Sequence, residues 1–192
     1  HYPGKPTGYI ESPRYDVFKH IVNRDNLCLI TNRQIKIDNI SHFFLTKTLS
    51  ALHVIETANA NPTQFPLYLY PNTTAQQTID GNTERTPNLN PEIAKQIEEG
   101  LGYFFSPEKP DYNEQTEETN QLYPIDILDY IYAVLHSPSY REKYKEFLKI
   151  DFPRVPYPKN PRQFIDLVEL GSQLRQIHLL ESPVVEDFIT QY

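Results

Sequence analysis

Proline placement constrains the fold of this chain more than any other feature of its sequence. The chain has 17 prolines among 192 residues, and in three places a residue that can cap a helix is followed by a proline and then by apolar residues at helical spacing. The three pairs are Ser12–Pro13, Asn90–Pro91 and Ser137–Pro138. A serine or asparagine side chain can accept hydrogen bonds from the first backbone N–H groups of a helix, and proline suits the first helical position because no N–H donor is needed there. The pairs therefore predict three helix starts.

Hydrophobic spacing indicates how far the helices run. A short helix is expected from about 13 to 23, and a second follows Asn90 and ends at a glycine. Residues 123–137 and 137–150 both carry apolar residues at helical spacing, and the Ser–Pro pair between them predicts a helical hairpin. A final helix of about twenty residues is expected within 160–182. Its expected buried stripe comprises Phe164, Leu167, Val168, Leu174, Ile177 and His178.

Four apolar runs in the first half indicate β-strands. They read "NLCLITNRQ", "HFFLTKTLS", "ALHVIETA" and "FPLYLYP", and they predict a mostly antiparallel sheet within about residues 27–71. The expected fold class is α+β, a sheet lobe followed by a helical lobe with a helical hairpin and a long final helix. We expect one domain, with a sheet-containing lobe over 12–100, an acidic loop over 101–122 and a helical lobe over 123–192.

Sequence signatures of catalysis and metal binding are absent. The sequence contains no glycine-rich phosphate loop, no HExxH pair and no GxSxG elbow. The histidines His20, His136 and His178 fall at or near helical stripes, where a partly buried histidine is more common than a ligand. The single cysteine, Cys28, excludes an internal disulfide and a multi-cysteine zinc site, and its apolar neighbours favour a core position. We therefore expect no catalytic residues and no metal.

Net charge, apolar runs and the cysteine and methionine counts limit the kinds of protein this chain can be. The formal net charge of −7 argues against non-specific nucleic-acid binding. The acidity is concentrated in residues 61–125, and the segment 108–120 is typical of a solvated loop. No apolar run is long enough to span a membrane, and one cysteine fits a reducing cytoplasm. The chain has no methionine, even at position 1, so we expect a piece of a longer protein.

Two polar segments carry side chains suited to reading nucleic acid. "ITNRQIK" places Asn32, Arg33 and Gln34 at the end of a predicted strand, and the polar loop at 72–86 adds threonines, glutamines and Arg85. Arginine can donate two hydrogen bonds to a guanine edge, and asparagine or glutamine can pair with an adenine edge. Composition alone favours a solvated loop, because polar loops are common.

The order of several longer stretches adds to this reading. They are "SPRYDVFKHIV", "NLCLITNRQ", "FPLYLYP", "NLNPEI", the block "PIDILDYIYAVLHSPSYREKYKEFLKIDFPRVPYP" and "LGSQLRQIHLLES". In these stretches the chain resembles the C-terminal target-recognition (specificity) domain of type ISP and related single-chain restriction–modification DNA methyltransferases. The stretches run in the family's order from about residue 12 to 182, and the 35-residue central block is the most specific of them.

The resemblance implies sequence-specific recognition of double-stranded DNA. In such enzymes an upstream methyltransferase module of the same polypeptide binds S-adenosylmethionine and methylates an adenine, and some members also cut DNA. This chain lacks the motifs of those modules, so we expect it to bind DNA without catalysis or a cofactor of its own. The candidate base contacts are Asn32, Arg33, Gln34, Thr73, Thr74, Gln76, Gln77 and Arg85. The candidate phosphate contacts are Arg14, Lys19, Lys36, Lys47 and Arg154.

Two alternatives to DNA recognition stay open. One is a module whose helical lobe docks another protein domain without contacting DNA. The other is a stand-alone enzyme, which the absence of a catalytic cluster makes the weaker hypothesis. Footprinting of the full-length protein separates DNA recognition from the docking alternative.

A proline-rich connector precedes the final helix. The stretch 149–164, "KIDFPRVPYPKNPRQF", contains four prolines between Pro153 and Pro161. Proline fixes φ and keeps the preceding residue extended, so the connector is expected to brace the final helix. Phe152, Val155 and Tyr157 are expected to pack against the protein while Arg154 points elsewhere.

Overall fold

The computed structural model describes residues 15–35, 40–51, 54–55, 62–71, 85–110 and 120–187. Several residues named above lie outside these ranges. They are Ser12, Pro13, Arg14, Lys36, Thr73, Thr74, Gln76 and Gln77. Most of the apolar run at 51–58 also lies outside them, so its assignment as a strand stays a prediction.

A three-stranded antiparallel sheet forms the first half of the fold, and it confirms the α+β prediction. The strands are β1 (Cys28–Asn32), β2 (Phe43–Thr46) and β3 (Pro62–Pro66), in the order β2-β1-β3. β1 is central, and four of its five residues are buried. The continuous apolar run that predicted β1 reflects this burial, because a central strand covered on both faces has no polar alternation.

Two pairs of short strands complete the β structure that the described residues form outside this sheet. The run "FPLYLYP" does not form one strand: it contributes the end of β3 and then β4 (Tyr68–Leu69), which pairs with β5 (Thr86–Pro87). Further along, β6 (Phe104–Phe105) pairs in parallel with β7 (Gln121–Leu122). The two strands on either side of the acidic loop therefore lie next to each other.

The cap–proline pairs that the structure describes do begin helices. In α2 (Pro91–Leu101) the Asn90 side chain accepts from Glu92 N and Ile93 N, at 2.8 and 3.3 Å, and Gly102 ends the helix with φ 71°. The left-handed conformation favours glycine at this position. Ser137 caps the helix that begins at Pro138. These caps confirm the helix starts that the sequence predicted.

The first predicted helix is shorter than expected. The helix α1 spans only Tyr15–Phe18, and residues 19–24 form turns. Asn23 adopts a positive φ of 56°, which ends any helical continuation.

The helical hairpin contains three helices where two were predicted. They are α3 (Pro124–His136), α4 (Pro138–Lys143) and α5 (Lys145–Leu148). Tyr144 separates the last two because its φ and ψ of −106° and 13° leave the helical region. A connector without regular structure follows, and then the final helix α6 (Pro161–His178) and a 3₁₀ turn at Pro183–Glu186.

The final helix packs closely on α3. Phe164 is buried, and Leu167, Val168 and Leu174 are partly buried against the core, as predicted. Ile177, at 39%, and His178 are both exposed, so their places in the buried stripe were wrong. The sequence analysis did not single out Gly171, where an added Cβ would lie 2.0 Å from the Asp129 carbonyl oxygen. Glycine is required there because the two helix backbones touch.

Sheet and helices share one apolar core. Phe43 and Leu45 of the sheet cluster with Tyr132, Leu135 and Leu148 of the helices. Cys28 is fully buried, and burial raises the pKa of its thiol to about 11, as expected for a core cysteine. None of the helices in the described ranges has the length and apolar character that crossing a bilayer requires.

Candidate nucleic-acid interface

The end of β1 is tied to the turn that follows α5. Ile35 is fully buried, and its N–H donates to the Leu148 carbonyl at 3.1 Å. Just before it, the Gln34 side chain donates to the Ile150 carbonyl at 3.1 Å. The three residues after β1 therefore lie along the start of the proline connector.

Arg33 is the most exposed of the candidate base readers on this surface. Its side chain is 69% exposed, and its Nε donates to Asp151 Oδ1 at 3.0 Å. Within the described ranges, the two terminal nitrogens of Arg33 have no protein partner. A two-pronged contact to a base edge needs two donors, and Arg33 has them available.

Asp151 stays charged beside this arginine. Its carboxylate accepts from the backbone N–H of Phe152 and from Arg33, and these contacts lower the pKa of the carboxyl below its usual value. The cation of Arg154 lowers this pKa further. Arg33 and Arg154 are therefore both close to the Asp151 carboxylate.

The proline connector holds Arg154 in place. The Tyr140 hydroxyl donates to the Arg154 carbonyl at 3.0 Å, and the Tyr130 hydroxyl donates to the Pro156 carbonyl at 2.9 Å. The exposed guanidinium of Arg154 lies 5.0 Å from the centroid of the Phe147 ring. Tyrosines of α3 and α4 thus fix the connector backbone while its arginine faces outward.

Two of the three connector residues that were expected to pack against the protein do so. Phe152 packs edge-on against Phe65 of β3, with ring centroids 5.5 Å apart, and Val155 packs against the core. Tyr157, expected to pack as well, is half exposed.

Asn32 differs from its two neighbours. Its side chain is fully buried, and its Nδ2 lies 3.4 Å from the Ile55 carbonyl as a donor. A contact between Asn32 and a base would require this part of the strand to open. The structure therefore separates Asn32 from Arg33 and Gln34, although the three are consecutive in sequence.

A second group of candidates lies in a cleft at the start of β1. The cleft has a volume of about 220 Å³ and is lined by Asp25, Tyr68, Lys47, Arg85, Glu108, Lys109 and Arg175, among others. Arg85 binds Glu108 through two hydrogen bonds of 2.6 and 2.8 Å and lies 3.9 Å above the Tyr68 ring. Lys47 pairs with Glu181. The cations of this cleft are thus engaged by the protein.

The two groups lie at opposite ends of β1. Lys47 follows Thr46, which faces Cys28 at the start of β1, whereas Arg33 follows its end. A five-residue strand spans roughly 15 Å at about 3.3 Å per residue. Lys19 lies partly buried just after α1, in neither group.

Burial and ion pairing perturb several groups around the cleft. Glu108 raises the pKa of Arg85, and burial raises the pKa of Tyr68 to about 12. At the back of the cleft Arg175 contacts Asp129 through Nε–Oδ1 and Nη2–Oδ2 distances of 2.7 and 3.0 Å. In the described part of the chain no cluster of three or more histidine, cysteine or acidic side chains is placed to hold a metal ion.

Comparison with known families identifies the class of domain. Residues 5–192 match the family described as the Type ISP C-terminal specificity domain. Because this match spans nearly the whole sequence, the chain belongs to the Type ISP C-terminal specificity domains, as the sequence predicted. No curated protein matches the sequence.

Two solved structures are similar to this chain. The cryoEM structure of a DrdV–DNA complex shares 24% identity and a TM-score of 0.54, over 81% of this chain and 12% of that one. A nuclease-deletion mutant of the Type ISP restriction–modification enzyme LlaGI, in complex with a DNA substrate mimic, shares 24% identity with a TM-score of 0.45. That match covers 80% of this chain and 10% of that one. The chain thus corresponds to a small part of each, and the likeness to DrdV concerns the fold.

Proposed function

We propose that this chain selects the DNA site of a Type ISP restriction–modification enzyme through the surface at the end of β1. In this proposal Arg33 and Gln34 contact base edges, and Arg154 contacts a phosphate of the backbone. The observation that carries it is the exposed Arg33, whose Nε is held by Asp151 while its two terminal nitrogens have no partner among the described residues. The family membership and the DNA complexes of the similar structures support it.

The rest of the enzyme supplies the chemistry in this proposal. A methyltransferase module of the same polypeptide binds S-adenosylmethionine and methylates an adenine of the selected site. The adenine must leave the duplex to reach the methyl donor. This chain would hold the neighbouring base pairs and phosphates meanwhile, and so it needs no catalytic group of its own.

The candidates at the other end of β1 have a different place in the proposal. Arg85 directly follows the segment 72–84, which carries the remaining predicted base contacts, and Lys47 lines the same cleft as Arg85. Because these cations are engaged by Glu181 and Glu108, we assign them to supporting that segment. A net charge of −7 leads us to expect weak, salt-sensitive DNA binding by this chain alone.

A charge reversal at Arg33 tests the proposal. The full-length enzyme with Arg33→Glu is expected to lose methylation at its site, measured by methylome sequencing of a host that expresses the gene. Lys95→Glu is the matched control, because Lys95 is an exposed lysine of α2 paired only loosely with Glu99, at 3.8 Å. Normal methylation by Arg33→Glu would show that Arg33 does not read bases.

A second variant separates base contacts from phosphate contacts. Arg154→Ala is expected to weaken DNA binding of the full-length enzyme without changing the preferred sequence, since phosphates carry no sequence information. A changed preference would contradict the phosphate assignment.

One observation favours the docking alternative for part of this chain. The final helix exposes apolar residues on its outer side, including Ile165 and Leu170, which is 59% exposed. Such a face suits contact with another module of the same polypeptide. DNA footprinting of the full-length enzyme separates docking from DNA recognition. A footprint that stays unchanged when residues 27–86 are replaced by another sequence would favour docking.

A further inference from the structure

Asp151 occupies a fixed position beside the proposed reader. Its backbone N–H donates to the Phe147 carbonyl at 3.2 Å, as the N–H of Ile150 does at 2.9 Å. The next residue, Phe152, packs against Phe65. The backbone of Asp151 is thus held on both sides, by the end of α5 and by the sheet.

The carboxylate of Asp151 constrains how Arg33 points. It accepts from Nε, the donor nearest to the side-chain stem. A guanidinium is planar, so a bond at Nε fixes the plane and directs the outer edge with the two terminal nitrogens away from the carboxylate. An exposed arginine would otherwise sample many rotamers, and fixing it beforehand lowers the entropy lost on binding.

Folding stability does not account for this contact. An ion pair whose side chains are 69% and 34% exposed is strongly screened by water and contributes little to stability. A contact between residues 118 positions apart in sequence also has no local cause in a helix or turn. Its clear consequence is the orientation of Arg33.

The charge of Asp151 discriminates between possible ligands of Arg33. A phosphate brought to Arg33 would approach a carboxylate of the same sign, which disfavours it. A base edge is uncharged, and guanine is the base that presents two acceptors, N7 and O6, in the major groove. Arg154 acts on the same carboxylate only through its charge, without a hydrogen bond to it in the described part of the chain, and its guanidinium lies over an aromatic ring, so a phosphate is less disfavoured there.

We infer that Asp151 is a positioning residue that presents the outer edge of Arg33 to a guanine, so that the recognised DNA site contains a guanine read by Arg33. The inference rests on the proposed function of Arg33. Asp151 was not among the residues that the sequence predicted, and guanine would be one base of the recognised site.

Selection of DNA by the full-length enzyme tests the inference. The probe is a pool of double-stranded oligonucleotides with randomised positions, enriched by the protein and sequenced. The wild type is expected to enrich a motif that contains a guanine at one particular position. Arg33→Ala is expected to lose the preference for guanine at that position. Asp151→Asn is expected to lower the guanine preference at that same position about tenfold and to leave the other positions unchanged.

The control variant is Glu146→Gln. Glu146 also pairs with a cation on this part of the surface, since Lys149 donates to it at 3.0 Å, but it contacts no proposed base reader. The DNA motif that Glu146→Gln enriches is expected to equal that of the wild type. Asp151→Asn keeps the side-chain oxygen that accepts from Phe152, and equal melting temperatures of the two variants confirm that both fold.

Each other outcome overturns a distinct statement. Suppose that Arg33→Ala removes the preference for guanine at one position. If Asp151→Asn keeps that preference, or lowers the preference at all positions equally, the positioning role of Asp151 is wrong while the proposed function stands. If the relaxed position is another base, the guanine assignment falls. If Arg33→Ala keeps the whole motif, or the wild type enriches none, the proposed reading surface falls and the inference with it.

Discussion

Two arginine–aspartate pairs of this chain have the same chemistry and opposite surroundings. Arg33 and Asp151 meet at the surface through one hydrogen bond, with side chains 69% and 34% exposed. Arg175 and Asp129 meet between α6 and α3 through two hydrogen bonds, with side chains 16% and 3% exposed. The buried pair uses its donors within the protein, and the exposed pair keeps two nitrogens for a ligand.

The comparison shows that burial, not residue type, assigns the role of an arginine here. Burial alone raises the pKa of the Asp129 carboxyl, and Arg175 offsets this by binding the charged form. Removing either partner leaves a buried charge unpaired. At the surface water replaces a lost partner at little cost, so Arg33 can exchange water for a base edge.

The largest expected effect is at the buried pair. Arg175→Ala leaves the Asp129 carboxylate without its partner, so the free energy of unfolding should fall by about 3–5 kcal/mol. Chemical denaturation of the 192-residue chain measures it. Lys95→Ala, which removes an exposed pair, should change stability by no more than about 0.5 kcal/mol. A similar small loss for Arg175→Ala would show that water reaches the buried pair.

Gly171→Ala tests the close helix contact that keeps this pair dry. The added Cβ would lie 2.0 Å from the Asp129 carbonyl oxygen, so the helices must separate, at a cost of about 2–3 kcal/mol. The matched control is Gly100→Ala in α2, where the nearest atom lies at 3.6 Å. That change should be neutral or stabilise by about 0.5–1 kcal/mol. Equal stabilities of the two variants would contradict the packing.

Acid should weaken the same helix pair through His136. Its Nε2 lies 3.2 Å from the Phe43 carbonyl, its ring is 5.4 Å from that of His178, and Arg141 lies nearby. Burial lowers the pKa of His136 from 6.5 to about 4. The unfolded chain therefore binds a proton that the folded chain does not, and stability falls as the pH drops from about 6.5 towards 4.

His136→Gln isolates this contribution, because glutamine can donate to the same carbonyl without gaining charge. Between pH 7 and pH 5 the wild type should lose about 1 kcal/mol more than the variant, after allowance for solvent screening. Denaturation at both pH values measures the difference. Identical pH dependence of the two proteins would show that His136 does not titrate below 6.5.

The smallest expected effect on stability is at the exposed pair. Arg33→Ala should leave the melting temperature of the chain unchanged, because its partner stays hydrated. The same change in the full-length enzyme should weaken binding to its DNA site about tenfold or more, since a two-pronged base contact is lost. A clear drop in melting temperature would instead assign Arg33–Asp151 to folding.

Local rules accounted for much of the fold. Asn90 and Ser137 begin helices as the cap–proline pairs predicted, because capping involves atoms only two or three residues apart. The central strand β1 followed from one continuous apolar run. The helix expected to about residue 23 ended at Phe18, and the turns that follow it lead to the positive φ of Asn23.

The candidate site was predicted less completely. Residue type singled out Arg33, Gln34 and Arg154, but not Asp151, because an aspartate in a turn has no distinctive local pattern. Asn32 has the right side chain for adenine and yet is buried. Which of two consecutive strand residues faces solvent depends on what packs above each face.

The sequence by itself determined where helices begin, that a buried strand follows α1, and which family the chain belongs to. Only the tertiary structure decided that Arg33 meets Asp151 while Arg175 meets Asp129, and that Gly171 must lack a side chain. The reason is physical. Caps and strand patterns depend on neighbouring residues, whereas the role of an arginine depends on partners and burial supplied by distant segments of the chain.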